Sequence, residues 1–180
     1  MSLDISQVEA LVVQAGFSHY APLDTATIVL HDEVRDMCAN GSCGQYGKCW
    51  SCPPGCGELS QNRERIARYT HGILVQTVAH LEDDFDAESM MQAQIDHKAH
   101  FSALVEALRP LFPDMLPLGA GRCDICKTCT YPDAPCRFPE KAVSSMEAYG
   151  MLVHEVCSRN GLPYYHGPGT LTYVSCILLE

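Results

Sequence analysis

The chain has 180 residues, 47% of them hydrophobic, which is enough apolar material to bury a core without disulfide support. Its formal net charge of −10 argues against a general nucleic-acid binder, which needs a basic surface to neutralise phosphates. Nothing at the N-terminus resembles a secretory signal, no apolar run is long enough to cross a bilayer, and the cysteines number eleven, so we expect a cytoplasmic protein with reduced thiols.

The first predicted elements are a helix, a loop and a strand. Apolar residues recur at helical spacing over residues 5–15, and Gly16 is a typical helix stop. Residues 17–24 are predicted to form a loop. The β-branched residues that follow predict a short strand over residues 25–30.

A glycine-rich segment over residues 38–56 then carries five cysteines, which are Cys38, Cys43, Cys49, Cys52 and Cys56. Glycines allow the tight backbone turns that a loop around a metal requires. Five thiols in one such loop are hard to explain as small buried side chains, so the segment predicts a metal site. One centre uses four thiolates, and the spacing alone does not decide which cysteine is the surplus one.

The middle of the chain alternates between helices and strands. The predicted elements are a helix at 59–69, a buried strand at 72–79, a long helix at 83–111 and a strand at 115–119. His97 and His100 lie three residues apart on the long helix, a spacing that can chelate a metal. With no acidic or cysteine residue placed beside them in the sequence, two solvated histidines are the favoured interpretation.

A second group of cysteines lies in residues 123–139 and consists of Cys123, Cys126, Cys129 and Cys136. C-x2-C-x2-C followed by a more distant cysteine and a proline is how bacterial ferredoxins hold an iron–sulfur cluster, so this segment predicts a 4Fe-4S site. The last spacer has six residues where the ferredoxin run has three, which leaves open whether Cys136 or another cysteine closes the cluster. A zinc site and a disulfide-stapled loop are the alternatives.

Positive charge is predicted beside the second cysteine group. Ser144 and Glu147 fit a capping box for a helix that runs to about residue 160, and the positive end of its dipole would face the cysteines. Arg137 and Lys141 add formal charge at the same place. They are candidate cofactor-binding residues that either tune a reduction potential or hold an anionic substrate, with ordinary surface charge as the alternative.

Residues 171–179 predict a final strand, and Cys157 and Cys176 lie among apolar neighbours that predict burial in the core. We therefore expect a single α/β domain over residues 1–180, with a mixed or mostly parallel sheet, packed helices and two cysteine loops at one edge. A two-layer α+β fold is the alternative.

Five segments carry a family resemblance: HDEVRDMC, CGQYGKCWSCPP, CDICKTC, CRFPEKAVSSMEAYGM and GPGTLTYVSCILL. They are similar to segments of a family of prokaryotic predicted metal-binding proteins of unknown function, and the similarity extends from about His31 to the C-terminus. The resemblance implies a cysteine-bound metal, as an iron–sulfur centre, in a cytoplasmic protein, and it marks Cys38, Cys43 and Cys52 as motif cysteines. It implies no particular reaction.

The functional prediction is a metal-binding protein with one or two iron–sulfur clusters, used for electron transfer or a redox reaction. A redox partner protein or a small anionic molecule is the expected partner, with no nucleic acid and no membrane. A zinc-stabilised binding module and a metal sensor or trafficking protein are the alternatives. No G-x-G-x-x-G fingerprint follows a strand and no nucleophile–base pattern occurs, so nicotinamide enzymes and hydrolases have no support.

Overall fold

The structure is a computed structural model that describes residues 5–41, 43–83 and 85–180. Its helices and strands, in chain order, are α1 (Ile5–Gln14), β1 (His19–Asp24), α2 (Asp32–Asn40), α3 (Leu59–Ile66), β2 (His71–His80), α4 (Ala87–Leu108), β3 (Leu116–Gly119), β4 (Ser144–Ser145), α5 (Val153–Arg159) and β5 (Thr170–Leu179). No helix in the described part of the chain, the 22-residue α4 included, has the length and apolar character of a membrane span.

The strands form one five-stranded sheet in the order β1-β2-β5-β3-β4. The pairs β1–β2, β2–β5 and β5–β3 are antiparallel, whereas β3 and β4 are parallel. The predicted mixed sheet with packed helices is confirmed, and its pairing is mostly antiparallel. The two longest strands, β2 and β5, lie next to each other near the centre of the sheet and pair over ten residues each.

Helices cover both faces of this sheet because its central strands alternate apolar side chains between two cores. Successive side chains of a strand point to opposite faces, so Ile73 and Val75 pack on one side while Leu74 packs on the other. The first core contains the buried faces of α1 and α4, and the second contains those of α3 and α5. The cores thus lie on opposite sides of β2 and β5, and both strands are buried over most of their length.

The predicted loop at 17–24 and strand at 25–30 are both wrong. Residues 19–24 form the edge strand β1, which pairs with β2, and Thr25–Thr27 form a short 3-10 helix. The Asp24 side chain accepts a hydrogen bond from the Ala26 amide (3.0 Å), and the Thr25 hydroxyl donates to the Tyr69 carbonyl (2.6 Å). These local hydrogen bonds favour a turn at residues whose β-branched composition predicts a strand.

The predicted helix start at Ser144 is also wrong. Ser144 and Ser145 form β4, which pairs with the end of β3, and the next α-helix begins at Val153. The Ser145 hydroxyl does accept the Ala148 amide (3.0 Å), but this caps only a 3-10 turn. Gly150 then ends that turn with φ 85°, and a side chain there would lie 2.5 Å from Leu59. The expected helix dipole at Ser144 beside the cysteines is therefore not formed.

The other predicted elements lie close to their expected positions. α1, α3, α4, β2, β3 and β5 lie within the predicted ranges or overlap them, with shifts at their ends. Cys157 and Cys176 are fully buried, as predicted. The helix α2, which contains Cys38, was not predicted.

Candidate metal centre

The second cysteine loop connects two parallel strands. It leaves the sheet after Gly119 at the end of β3 and returns at Ser144 in β4. Parallel neighbours cannot be joined by a tight hairpin and need a crossover of about a dozen residues or more. In this chain the crossover is the loop that carries Cys123, Cys126 and the two cysteines after them, so the sheet fixes both ends of the loop.

The first cysteine loop is held beside it by α2. The His31 amide donates to the Gly150 carbonyl (2.8 Å), and the Arg35 guanidinium donates to the Ala148 carbonyl (2.8 Å). Ala148 and Gly150 follow β4 directly along the chain. Because α2 is attached there, the loop that follows α2 is brought next to the crossover. The prediction that the two loops lie together is confirmed, although only the second one follows a strand.

Trp50 joins the two loops. Its indole Nε1 donates to the Ala134 carbonyl (2.9 Å), and its ring packs edge-on against Tyr131, with ring centroids 4.8 Å apart. Close approach also explains Gly55, since a Cβ there would lie 2.6 Å from the Cys49 carbonyl oxygen and 3.0 Å from the Tyr131 ring. The contact between the loops is therefore specific in both hydrogen bonding and packing.

Cys49 belongs spatially with the second group. A small cavity of about 20 Å³ is lined by five sulfur side chains, those of Cys49, Cys123, Cys126, Cys129 and Cys136. Cys49 is buried at 6% exposure and lies far from the other four in sequence. The structure thus separates one cysteine of the first loop from the remaining four, a choice that sequence spacing left open.

Cys38, Cys43, Cys52 and Cys56 form the first group, and their thiols interact electrostatically. Burial is the main cause that raises the pKa of Cys38, and of Cys52 to about 12, and the charge of Cys43 raises both further. Burial also raises the pKa of Cys56, which Arg35 partly offsets from 3.9 Å away. Because these thiols hold their protons, metal binding at this group must displace protons.

Cys129 in the second group has the opposite balance. Burial raises its pKa, but hydrogen bonds to the sulfur outweigh this effect and the pKa is lowered. The donors are the backbone amides of Tyr131, Trp50 and Thr130 together with the Cys49 thiol. Backbone N–H groups aimed at one atom stabilise negative charge on it, and the Trp50 amide comes from the other loop. The junction between the loops thus favours a thiolate at Cys129.

The described residues contain no group of three or more His, Cys, Asp or Glu side chains already arranged to hold a single metal ion. The two cysteine groups are therefore defined by the cavity that they line and by their electrostatic contacts. Every cysteine is a free thiol, so the disulfide alternative finds no bonded pair.

Residues 21–179 match a sequence-family model described as "Predicted metal-binding protein (DUF2284)". The chain belongs to this family. The match confirms the family resemblance and supports metal binding without specifying a metal. No curated protein and no solved structure matches the chain.

In this member of the predicted metal-binding family, the two candidate cofactor-binding residues have different surroundings. Arg137 donates to the Thr128 carbonyl (2.9 Å), so it braces the loop one residue before Cys129. Lys141 lines a larger cavity, which it shares with Cys123. The sequence placed both at the second group, and the structure gives each a separate position.

The histidine pair on α4 is not a chelating site, and the interpretation as two solvated side chains is wrong for His97. His97 is 1% exposed, and its two ring nitrogens lie 2.9 Å from the Thr77 hydroxyl and 2.7 Å from the Ser175 hydroxyl. Burial, with a smaller contribution from His100, lowers the pKa of His97 to about 4. The ring is therefore neutral and bridges β2, α4 and β5.

Trp50 and Arg35 are the site residues that sequence reasoning missed. Trp50 is the only tryptophan in the chain and lies between Cys49 and Cys52, which was the available signal. Arg35 lies three residues before Cys38, a helical neighbour position that could be recognised only if α2 had been predicted.

Proposed function

We propose that the chain carries two iron–sulfur clusters, one on each cysteine group, and acts as an electron-transfer protein or as the redox centre of an enzyme. The observation that carries the proposal is the cavity at which Cys49 joins all four cysteines of the C-x2-C-x2-C-x6-C run. A cluster requires thiolates that approach from several directions, and these five come from two loops.

The ligand sets follow from the grouping. Cys38, Cys43, Cys52 and Cys56 would hold one cluster, and four of the five cysteines at the cavity would hold the other. With Cys49 available, the second site does not depend on Cys136 to close it, which accommodates the long spacer. When bound, such clusters supply reversible one-electron chemistry.

The chain's own residues have three tasks in this proposal. Backbone amides and Arg35 stabilise negative charge on sulfur, which is one of the ways in which proteins set a cluster's potential. Trp50 and Tyr131 hold the loops together and exclude water from their junction. The Cys52 amide donates to the Cys49 carbonyl (3.1 Å), so one helical turn connects the two groups, a short path between centres.

A zinc module is the second candidate, because the cavity of about 20 Å³ has room for about one water molecule or ion. All-cysteine zinc sites use the same ligands and have no redox chemistry. A compartment that keeps thiols reduced, such as the cytoplasm, suits both proposals. A redox partner protein or a small anionic molecule remains the proposed partner of the iron–sulfur form.

The deciding experiment is anaerobic purification followed by iron, sulfide and zinc analysis and electron paramagnetic resonance of the reduced protein. Two four-iron clusters predict about eight iron and about eight acid-labile sulfide per chain, with a signal that appears on reduction. A colourless protein with stoichiometric zinc would overturn the iron–sulfur proposal and support the zinc module.

A further inference from the structure

A second and larger cavity, of about 250 Å³, lies between α4 and the start of the second cysteine loop. Apolar side chains form much of its wall, with Phe101 and Val105 on α4 facing Val143 near the end of the loop. Small-molecule sites are typically apolar clefts of about 300–1,000 Å³ with a few placed polar groups. This cavity is close to the lower limit, so it has room for a compact ligand.

The charge of its lining is opposite to that of the chain. Four basic side chains and two acidic ones line the cavity, which leaves an excess of positive charge. The whole chain, in contrast, has 12 basic and 22 acidic residues. Basic residues are thus concentrated at the one place where an apolar wall adjoins them, and such a site attracts an anion.

The individual partners of these side chains show which positive charges are available. Lys98 is paired with Asp124 (2.5 Å), so its charge is compensated. Arg109 donates to the Glu140 carbonyl (2.8 Å), which leaves other guanidinium N–H groups free of that bond. Among the described residues, Lys141 has neither a hydrogen-bond acceptor nor an ion-pair partner. Lys141 is therefore the best-placed cation for a ligand.

We propose that this cavity binds a compact organic anion with an apolar ring or chain, whose acidic group pairs with Lys141 and Arg109 while its apolar part packs against Phe101 and Val143. Cys123 lines the same cavity, so the ligand would lie beside the second cysteine group. The site exists without a metal, and its test is therefore independent of the proposed iron–sulfur clusters.

The test compares three probes of similar size on the purified full chain by isothermal titration calorimetry and by chemical-shift changes in NMR spectra. Benzoate carries a negative charge, benzyl alcohol none and benzylamine a positive charge at neutral pH. We expect benzoate to bind at least about tenfold more tightly than benzyl alcohol, benzylamine not to bind, and added salt to weaken benzoate. Equal affinity for all three probes, or no benzoate binding, would overturn the proposal.

Matched variants place the binding within the cavity. Lys141→Ala should weaken benzoate about fivefold, whereas Lys127→Ala, on the same loop but outside the cavity, should leave it unchanged. Ser102→Tyr places a ring at the cavity from an exposed position on α4 and should remove binding, whereas Ala103→Tyr, exposed on the neighbouring position, should not. Unchanged benzoate affinity in both Lys141→Ala and Ser102→Tyr would locate the binding elsewhere and refute the site.

Metal content is measured in the same samples. Protein without iron that still binds benzoate in this pattern would retain the anion site while refuting the proposed clusters. Protein with iron that fails to bind benzoate would do the reverse.

Discussion

Cysteines occupy two contrasting regions of this molecule, the sheet core and the paired loops. Cys157 and Cys176 are fully buried among apolar side chains of the second core, and burial raises the pKa of both. The nine loop cysteines also lose solvent, but they lie beside one another, beside Arg35 and beside backbone amides. Burial is common to both regions, so convergence and polar partners are what distinguish a candidate ligand from a packing residue.

The largest expected effect is a separation of metal content from stability. Cys126→Ser should remove the metal of the second group, and Cys38→Ser that of the first, with the sheet retained in each. Cys176→Ala should keep the metal and lower the free energy of unfolding by about 1 kcal/mol, since it removes a buried sulfur. Metal analysis and denaturant unfolding measure the two quantities. Loss of all metal in either serine variant would contradict separate centres.

The second prediction concerns pH and the core side of the comparison. The pKa of His97 is about 4 in the folded chain and about 6.5 when unfolded, so the unfolded state binds more protons between these values. Stability should therefore fall as pH decreases from about 6.5 to 4, by at most about 3 kcal/mol. Urea unfolding of the wild type and His97→Gln at several pH values measures it. Parallel profiles for the two proteins would show that His97 is not responsible.

A smaller effect is expected at the junction between the loops. Trp50→Phe keeps an aromatic ring against Tyr131 but loses the hydrogen bond to the Ala134 carbonyl. A bond of this kind contributes about 1 kcal/mol, so metal should be released to a chelator roughly fivefold faster. Trp50→Ala should release it faster still. The matched control is Tyr46→Phe, which changes an exposed aromatic residue of the same loop.

The smallest expected effect compares how charge acts on the two groups. Arg35 approaches Cys56, so Arg35→Gln should lower the reduction potential of the first centre by roughly 40 mV, the equivalent of about 1 kcal/mol for one electron. Arg35→Lys keeps the charge and should shift the potential less. Arg137→Ala should affect only the second centre. Potentiometric titration followed by electron paramagnetic resonance distinguishes the centres, and equal shifts at both would contradict the assignment.

The sequence predicted much of the core because its signals are local. The continuous apolar run of β2 and the periodic pattern of α4 follow from burial on both faces or on one face, and both elements are found. Thr25–Thr27 and Ser144 were misassigned because propensity and capping patterns competed with hydrogen bonds to residues far away in sequence, such as Tyr69, and with pairing to β3. At the site, the cysteine spacing identified all nine candidate ligands without ordering them in space.

By itself, the sequence determined that this is a cysteine-rich chain with a substantial apolar core, that its thiols fall into two loops and that metal binding is the expected chemistry. Only the tertiary structure decided that Cys49 joins the second group, that Trp50 links the loops and that basic residues gather around an apolar cavity. The physical reason is distance along the chain. Spacing constrains side chains within one turn or loop, whereas β3, β4 and α2 bring together segments that no local pattern connects.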